Sequence, residues 1–315
     1  MTPPSCRLGL GLAAAGRPAY VNLGRSADLG QERSPEALRA RAHALLDEAH
    51  ALGIRYLDVA RSYGRAEEFL ADWLAARPDV DDVVVGSKWG YTYVGGWRMD
   101  ADVHEVKEHT RPAFERQLAE TRALLGGRLR TYYVHSATLD SGALDDADLH
   151  ASMARLRDEG VSVGLSTSGP RQAEAVRRAL EVGVDGAPLF SWVESTWNLL
   201  EPSVGPALEE AAASGWTVVL KEVVANGRLT PAGREPAAER VAAAAGLPLD
   251  VLATAAALAR PWAAYVLSGA VTTAQLRSNA SALSVELPAE AADALDALAE
   301  TPEAYWERRR ALPWS

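Results

Sequence analysis

Short apolar runs alternate along the whole chain with longer segments whose apolar residues recur every three or four positions. The clearest helical pattern follows Ser34. There Leu38, Ala42, Leu45, Ala49 and Leu52 share one face, Pro35 suits the first turn, Ser34 can cap it and Gly53 can end it. An apolar run ending in Asp58 begins at once (RYLDVARSYG, 55–64). Further runs end in Lys88 (DVVVGSKWG, 82–90) and His135 (RTYYVHSA, 130–137), with helical patterns after them from about Pro112 to Leu125 and from Ala143 to Arg157. VSVGLST (161–167), APLFSWVE (187–194), WTVVLK (216–221) and AYVLSG (264–269) repeat the arrangement. Helices are predicted over 170–182 and 203–214, beyond Pro248, and on to Leu283.

With GLGLA (9–13) as the first strand, the pattern gives eight strand–helix units. Short Val- and Leu-rich strands without clean alternation suit a parallel sheet covered on both faces. Eight units without a break in composition predict one α/β domain over residues 1–315, a (β/α)8 TIM barrel, which typically takes about 250 residues. A doubly wound sheet is the competing arrangement, but its glycine-rich dinucleotide loop is missing. Gly9, Gly11 and Gly16 of LGLGLAAAG have the wrong spacing. Three segments stand outside the repeat: a polar connector (22–32), a long aromatic insertion from Trp89 to His109, and a helical tail from Pro288 onward.

Composition narrows the class further. A hydrophobic fraction of 48% with 23% charged residues is that of an ordinary globular protein, and a net charge of −10 disfavours nucleic acid and anionic membranes as partners. Cys6 is the only cysteine, which leaves no internal disulfide and no cysteine metal site. The N-terminal segment is too weakly basic and too glycine-rich for a secretory signal, and no apolar stretch approaches 18 residues. A soluble, cytoplasmic, reduced protein is expected. HEVKEH (104–109) misses the zinc-protease spacing, so no metal is expected.

The candidate chemistry sits at the ends of the predicted strands. Asp58, Tyr63, Lys88 and His135 leave three strands at the same end, so a parallel barrel gathers them in one mouth. Lys88 is one of only three lysines among 32 basic residues, and it ends a Val-Val-Val run where an ammonium is costly to bury unless paired. A carboxylate, a phenol, an ammonium and an imidazole can together give a proton to a carbonyl oxygen. Tyrosine alone, with a pKa of about 10, is a reluctant acid; a cation within roughly 4–6 Å would lower that value. The expectation is that Lys88 tunes Tyr63, Asp58 holds Lys88, and His135 orients the carbonyl. In the long insertion, Trp89, Tyr91 and Trp97 are the candidate substrate-binding residues, and Trp306 and Trp314 in the tail can reach the mouth.

GIRYLDVARSYGRAEE, with Lys88 and His135 at the following strands, resembles the aldo-keto reductase signature, and the likeness covers nearly the full length. The resemblance implies an N-terminal hairpin (7–22) plugging the bottom of the barrel and a nicotinamide cofactor, NADP(H) or NAD(H), acting on a small carbonyl or alcohol. It also implies cofactor contacts at Ser166 and Thr167, at Glu194 where relatives carry glutamine, and at Lys221 where an aromatic ring often stands. Glu222, Gly227 and Leu229 fall in the loop crossing the pyrophosphate, and Gly269, Gln275 and Asn279 at the adenosine end. No arginine fork marks a 2′-phosphate site there, Arg277 alone being near, which leaves NAD(H) open. GLSTSGP (164–170) is similar to a branch that contains sugar dehydrogenases, so oxidation of an aldose to a lactone is an alternative. A cofactor-binding regulatory protein and a redox-neutral enzyme are the others.

Overall fold

The computed structural model describes residues 6–287 and 291–314. Eight parallel strands close into a barrel: β1 (Leu8–Gly11), β2 (Tyr56–Asp58), β3 (Val84–Trp89), β4 (Leu129–Ala137), β5 (Ser162–Thr167), β6 (Trp192–Thr196), β7 (Thr217–Lys221) and β8 (Tyr265–Ser268). Each strand pairs with its neighbours in chain order, and β8 returns to β1. The first large helix runs Pro35–Ala51, with Ser34 Oγ accepting from Ala37 N–H as its cap. Its apolar face, Leu38, Ala42, Leu45 and Ala49, is buried as its spacing predicts.

The register shows why the barrel is filled. Side chains two apart on a strand share a face, and one ring of inward positions holds Tyr56, Tyr133, Trp192 and Tyr265. These rings pack together, with Tyr56 and Tyr265 centroids 4.5 Å apart and the Tyr56 and Tyr133 hydroxyls at 2.8 Å. Glycines on the intervening strands make the room. A Cβ on Gly86 would lie 2.7 Å from the Tyr56 hydroxyl, and one on Gly164 would lie 2.5 Å from the Tyr133 ring. The barrel therefore has a floor of aromatic rings. Two residues further along β2, β3, β4 and β6, the same inward face presents Asp58 above Tyr56, Lys88 above Gly86, His135 above Tyr133 and Glu194 above Trp192.

The expected N-terminal hairpin is not formed among the described residues. Leu8–Gly11 is taken up as a barrel strand, bonded on both sides, and the chain then folds across the mouth. The long insertion forms a two-stranded antiparallel hairpin, Tyr91–Tyr93 with Glu105–Lys107, on that same end. The tail provides helices Ala292–Asp296 and Pro302–Arg310, the second anchored by buried Tyr305 and Trp306. Pro288, the expected start of the tail, and the first five residues lie outside the described residues. Among the described residues, no single helix is long and apolar enough to cross a membrane.

Candidate active site

Asp58 ends β2 and pairs in register with Gly86, which places its carboxylate beside the side chain of Lys88. The Lys88 ammonium sits 2.5 Å from both Asp58 carboxylate oxygens, and both side chains are buried. Glu194, on β6, brings a second carboxylate: its Oε2 lies 3.2 Å from the same ammonium. The Tyr63 ring lies above this cluster, 5.1 Å from the Lys88 nitrogen and edge-on to the His135 imidazole at 5.4 Å. All four predicted acid–base residues are thus drawn together. Asp58, Tyr63 and His135 line one cavity at the mouth, and Lys88 lies just behind its wall.

Local backbone structure aims these groups. Gly64 adopts φ +61, a conformation a side chain rarely takes, and a Cβ there would lie 2.5 Å from the Gly16 carbonyl oxygen. Arg65 N–H donates to that same carbonyl at 2.9 Å, so the turn carrying Tyr63 is clamped to the β1 loop. His135 is set by a register shift in β4, with Ser136 at φ 49 and its N–H donating to Ser166 Oγ at 2.8 Å. From outside the barrel, His109 Nε2–H donates to the His135 carbonyl at 2.8 Å.

The electrostatics differ from the sequence expectation in one respect. Burial pushes the Lys88 ammonium down, but Asp58 and Glu194 more than offset this and hold it above its ordinary value. Burial, followed by the negative charge of Asp58 and Glu194, pushes the Tyr63 phenol well up rather than down. The first reason is desolvation, because a buried phenol loses the water that would stabilise its anion, and the nearby carboxylates add to it. Tyr63 is held firmly protonated. His135 is pushed well below its ordinary value by burial and then by Lys88, Lys221 and Arg17, which keeps the imidazole neutral.

The cavity has a volume of about 270 Å3, and several of its walls are residues that motif reading missed. Arg17 is buried and donates to the Ser62 carbonyl at 3.0 Å and to Glu105 at 2.6 Å, while its guanidinium lies 5.4 Å from the Tyr63 ring centre. Tyr20 and Trp314 flank the same guanidinium, and the Trp314 ring stacks on His104 at 4.3 Å. Arg309 from the tail is paired with Glu222 beside Lys221. With burial opposed by Arg309 and Lys221, Glu222 is held down to about 2. Arg17 and Tyr20 stand in an aperiodic stretch and Arg309 in a run of three arginines, so their only signal in sequence was a polar, aromatic loop directly after a barrel strand.

The other predicted residues divide. Tyr91, Glu194, Lys221, Glu222, Gly269 and Asn279 line the cavity. Ser166 does not; its hydroxyl is buried on Ser136 N–H. Thr167 is buried against Ser195 at 2.7 Å, behind the barrel wall. Gly227 and Leu229 anchor the crossing loop instead of facing the cavity: Gly227 packs on Leu23 and Leu229 is in a second core. Gln275 caps its own helix region and donates to Asp28 at 2.7 Å. Trp89 faces outward into the core against Phe114 at 5.1 Å, and Trp97 packs on Phe69 and donates to the Arg33 carbonyl at 2.8 Å. Both tryptophans pack the insertion down, because large rings at its base bury more apolar area against the barrel wall than in a polar mouth. Of the tail tryptophans, Trp314 reaches the cavity, whereas Trp306 is buried against Tyr305. Among the described residues, no group of three or more His, Cys, Asp and Glu side chains is placed to hold a metal ion.

The donor set fits a nicotinamide dinucleotide. Glu194 Oε2 is buried without a hydrogen-bond donor, the kind of orphan acceptor that an amide NH2 satisfies. Lys221 supplies a cation nearby, and Ser268, Gly269 and Asn279 form the opposite rim, with open space beyond the Gly269 Cα.

A closed parallel barrel with an acid–base cluster at the C-terminal ends of its strands has the layout of a barrel enzyme. Comparison with known proteins narrows this. The model of the aldo/keto reductase family matches residues 8–300. The aldo-keto reductase str7 of Strobilurus tenacellus is 30% identical over 194 residues, or 61% of this chain and 53% of that protein, so the match spans about half the relative's length. The uncharacterized oxidoreductase YqkF of Bacillus subtilis is 28% identical over 274 residues, covering 77% of this chain and 82% of YqkF. Among solved structures, aldo-keto reductase AKR11C1 from Bacillus halodurans, in its holo form, superposes with a TM-score of 0.69 at 20% identity over 96% of each chain. PA4992 from Pseudomonas aeruginosa, described as an aldo-keto reductase, gives 0.63 at 24% identity over 88% of this chain and 91% of its own. At those identities the two structures show a shared fold. The chain belongs to the aldo/keto reductase family, whose members are nicotinamide-dependent oxidoreductases.

Proposed function

We propose that this chain interconverts a small carbonyl compound and its alcohol with NAD(H) or NADP(H), with Tyr63 as the proton donor. The observation that carries the reading is the convergence of a protonated phenol, a neutral imidazole and a buried ion pair on one cavity. When bound, the nicotinamide supplies or accepts the hydride; the protein's own groups handle the proton. With Ser62 Oγ–H donating to His135 Nδ1 at 3.4 Å, the imidazole proton stands on Nε2, which donates to the substrate oxygen and polarises it. Tyr63 gives its proton as that oxygen becomes an alkoxide. Lys88, held by Asp58 and Glu194, stands ready to stabilise the phenolate that remains. Glu194, Lys221, Ser268, Gly269 and Asn279 hold the cofactor, and Tyr91, Arg17 and Trp314 enclose the substrate.

Oxidation of an aldose is the second reading, favoured by the Arg17–Glu105 pair, which offers a charged donor and a charged acceptor beside the Tyr20 and Trp314 rings. Such a wall suits vicinal hydroxyls. Titration of protein fluorescence with NADH and NADPH tests binding, and absorbance at 340 nm with a carbonyl panel and an aldose panel tests turnover. Tyr63→Phe is expected to lower kcat by about 10²–10⁴ with the cofactor Kd unchanged. Wild-type turnover in that variant would refute the assignment.

A further inference from the structure

The outer face of the barrel wall behind the active site carries a buried carboxylate that the acid–base mechanism does not use. Glu67, in the first turn of helix Ala66–Ala75, is 2% exposed. Three donors fill its two oxygens. Ser87 Oγ at 2.6 Å and Thr121 Oγ1 at 2.8 Å donate to Oε1, and the Arg61 guanidinium donates to Oε2. Each donor comes from a different part of the chain: β3, helix Arg111–Leu125, and the segment between β2 and Tyr63. The buried charges balance. Arg61 answers Glu67, and Glu120, the second partner of Arg61 at 2.7 Å, is exposed.

Two of these donors stand beside the groups that handle the proton. Ser87 precedes Lys88 on one strand, so their side chains leave opposite faces, Ser87 outward to Glu67 and Lys88 inward to Asp58. Arg61 comes two residues before Tyr63, and its N–H donates to the Lys88 carbonyl at 3.0 Å. One step earlier, Val59 N–H donates to the Gly86 carbonyl at 2.9 Å. The chain from Asp58 toward Tyr63 therefore runs alongside β3, joined to it by backbone bonds and, through Glu67, by side chains of the outer face. Resting on the function proposed above, we propose that Glu67 and Arg61 are positioning residues that fix the Tyr63 phenol relative to the Lys88 ammonium from behind the barrel wall. Neither side chain lines the cavity, so neither touches substrate or cofactor. Their leverage is geometric: a misplacement of about 1 Å in a reacting group costs on the order of 10²-fold in rate.

The test compares kcat, KM, thermal unfolding and cofactor Kd, the last by fluorescence titration with NADH and NADPH. Arg61→Met leaves the Glu67 carboxylate buried without its cation and is expected to lower both thermal stability and kcat. The double variant Arg61→Met with Glu67→Gln removes both charges and leaves an amide oxygen to accept from Ser87 and Thr121. It is expected to regain much of the lost thermal stability. Its kcat should nonetheless stay about 10- to 100-fold below wild type, with KM and cofactor Kd within about threefold. Arg61→Lys retains the charge and one bond to Glu67, and is expected to recover part of the kcat lost in Arg61→Met. Glu120→Gln, which removes only the exposed partner, is expected to match wild type. Recovery of kcat together with stability in the double variant would overturn the inference, since the pair would then serve stability alone. Parallel loss of kcat, KM and cofactor affinity would overturn it too. Absence of turnover by the wild-type protein with every carbonyl and alcohol offered would instead sink the proposed function, and this inference with it.

Discussion

Individual side chains explain the site through the company they keep. The sequence alone suggests that Lys88 makes the Tyr63 phenol acidic, but burial, and after it the Asp58 and Glu194 carboxyls, push it the other way. A pH profile follows. For reduction, kcat/KM should show no alkaline limb below about pH 10, because Tyr63 must be protonated and its pKa lies above that ordinary value. His135 is depressed below 6.5, so the folded protein leaves it neutral where an unfolded chain would take up a proton. Its contribution to stability is present above pH 6.5 and lost as pH falls through the lower folded value. The His135 ring resonances should therefore hold still between pH 7.5 and 6, which an NMR titration checks. Asp58, Tyr63, Lys88 and His135 were legible because each stands at a strand end or in a turn just after one, where spacing alone predicts the direction of approach. Glu194 was legible as a position, but not as a partner of Lys88. That contact spans two strands that are not neighbours and depends on register around the barrel.

Among elements, strand order and the first helix followed directly from periodicity, since Leu38, Ala42, Leu45 and Ala49 leave no other face to bury. The loops did not, because their conformation depends on contacts far away in sequence. The crossing loop after β7 is fastened to the β1 loop: Leu23 N–H donates to the Asn226 carbonyl at 2.9 Å, and Asn226 Nδ2 donates to the Val21 carbonyl at 3.0 Å. The cavity, about 270 Å3, lies beneath this clasp. Loading of a dinucleotide is expected to open the fastening. Stopped-flow fluorescence should show a saturating isomerisation after a fast encounter. Asn226→Ala, which removes the side-chain half of the clasp, should speed cofactor release several-fold, in line with about 1 kcal/mol for one hydrogen bond.

Across the whole molecule, the loop after the first strand and the tail meet over the active centre. Arg17 and Tyr20 follow the first strand, Trp314 is next to the last residue, and they form one roof with His104 of the insertion. Helix Pro302–Arg310 delivers Trp314, with Tyr305 buried and accepting from Asn198 Nδ2 at 2.9 Å. Trp314→Ala should raise KM for the carbonyl substrate by about three- to tenfold, matching the 0.5–1.5 kcal/mol of an aromatic contact. Thermal unfolding should be nearly unchanged, because Trp314 lies beyond the helix that anchors the tail. No local pattern in the sequence announces this roof; it exists because a closed barrel brings its first and last strands side by side.

The tyrosine and tryptophan rings sealing the barrel below Asp58 and Lys88 also bear on traffic. With the far end plugged, solvent, coenzyme and reactant share a single doorway, and whatever enters first is trapped beneath what enters second. A dinucleotide seated in the deeper part of that doorway would arrive before the reactant and depart after the product. On that seating, four rings remote from the chemistry would commit turnover to a compulsory sequence.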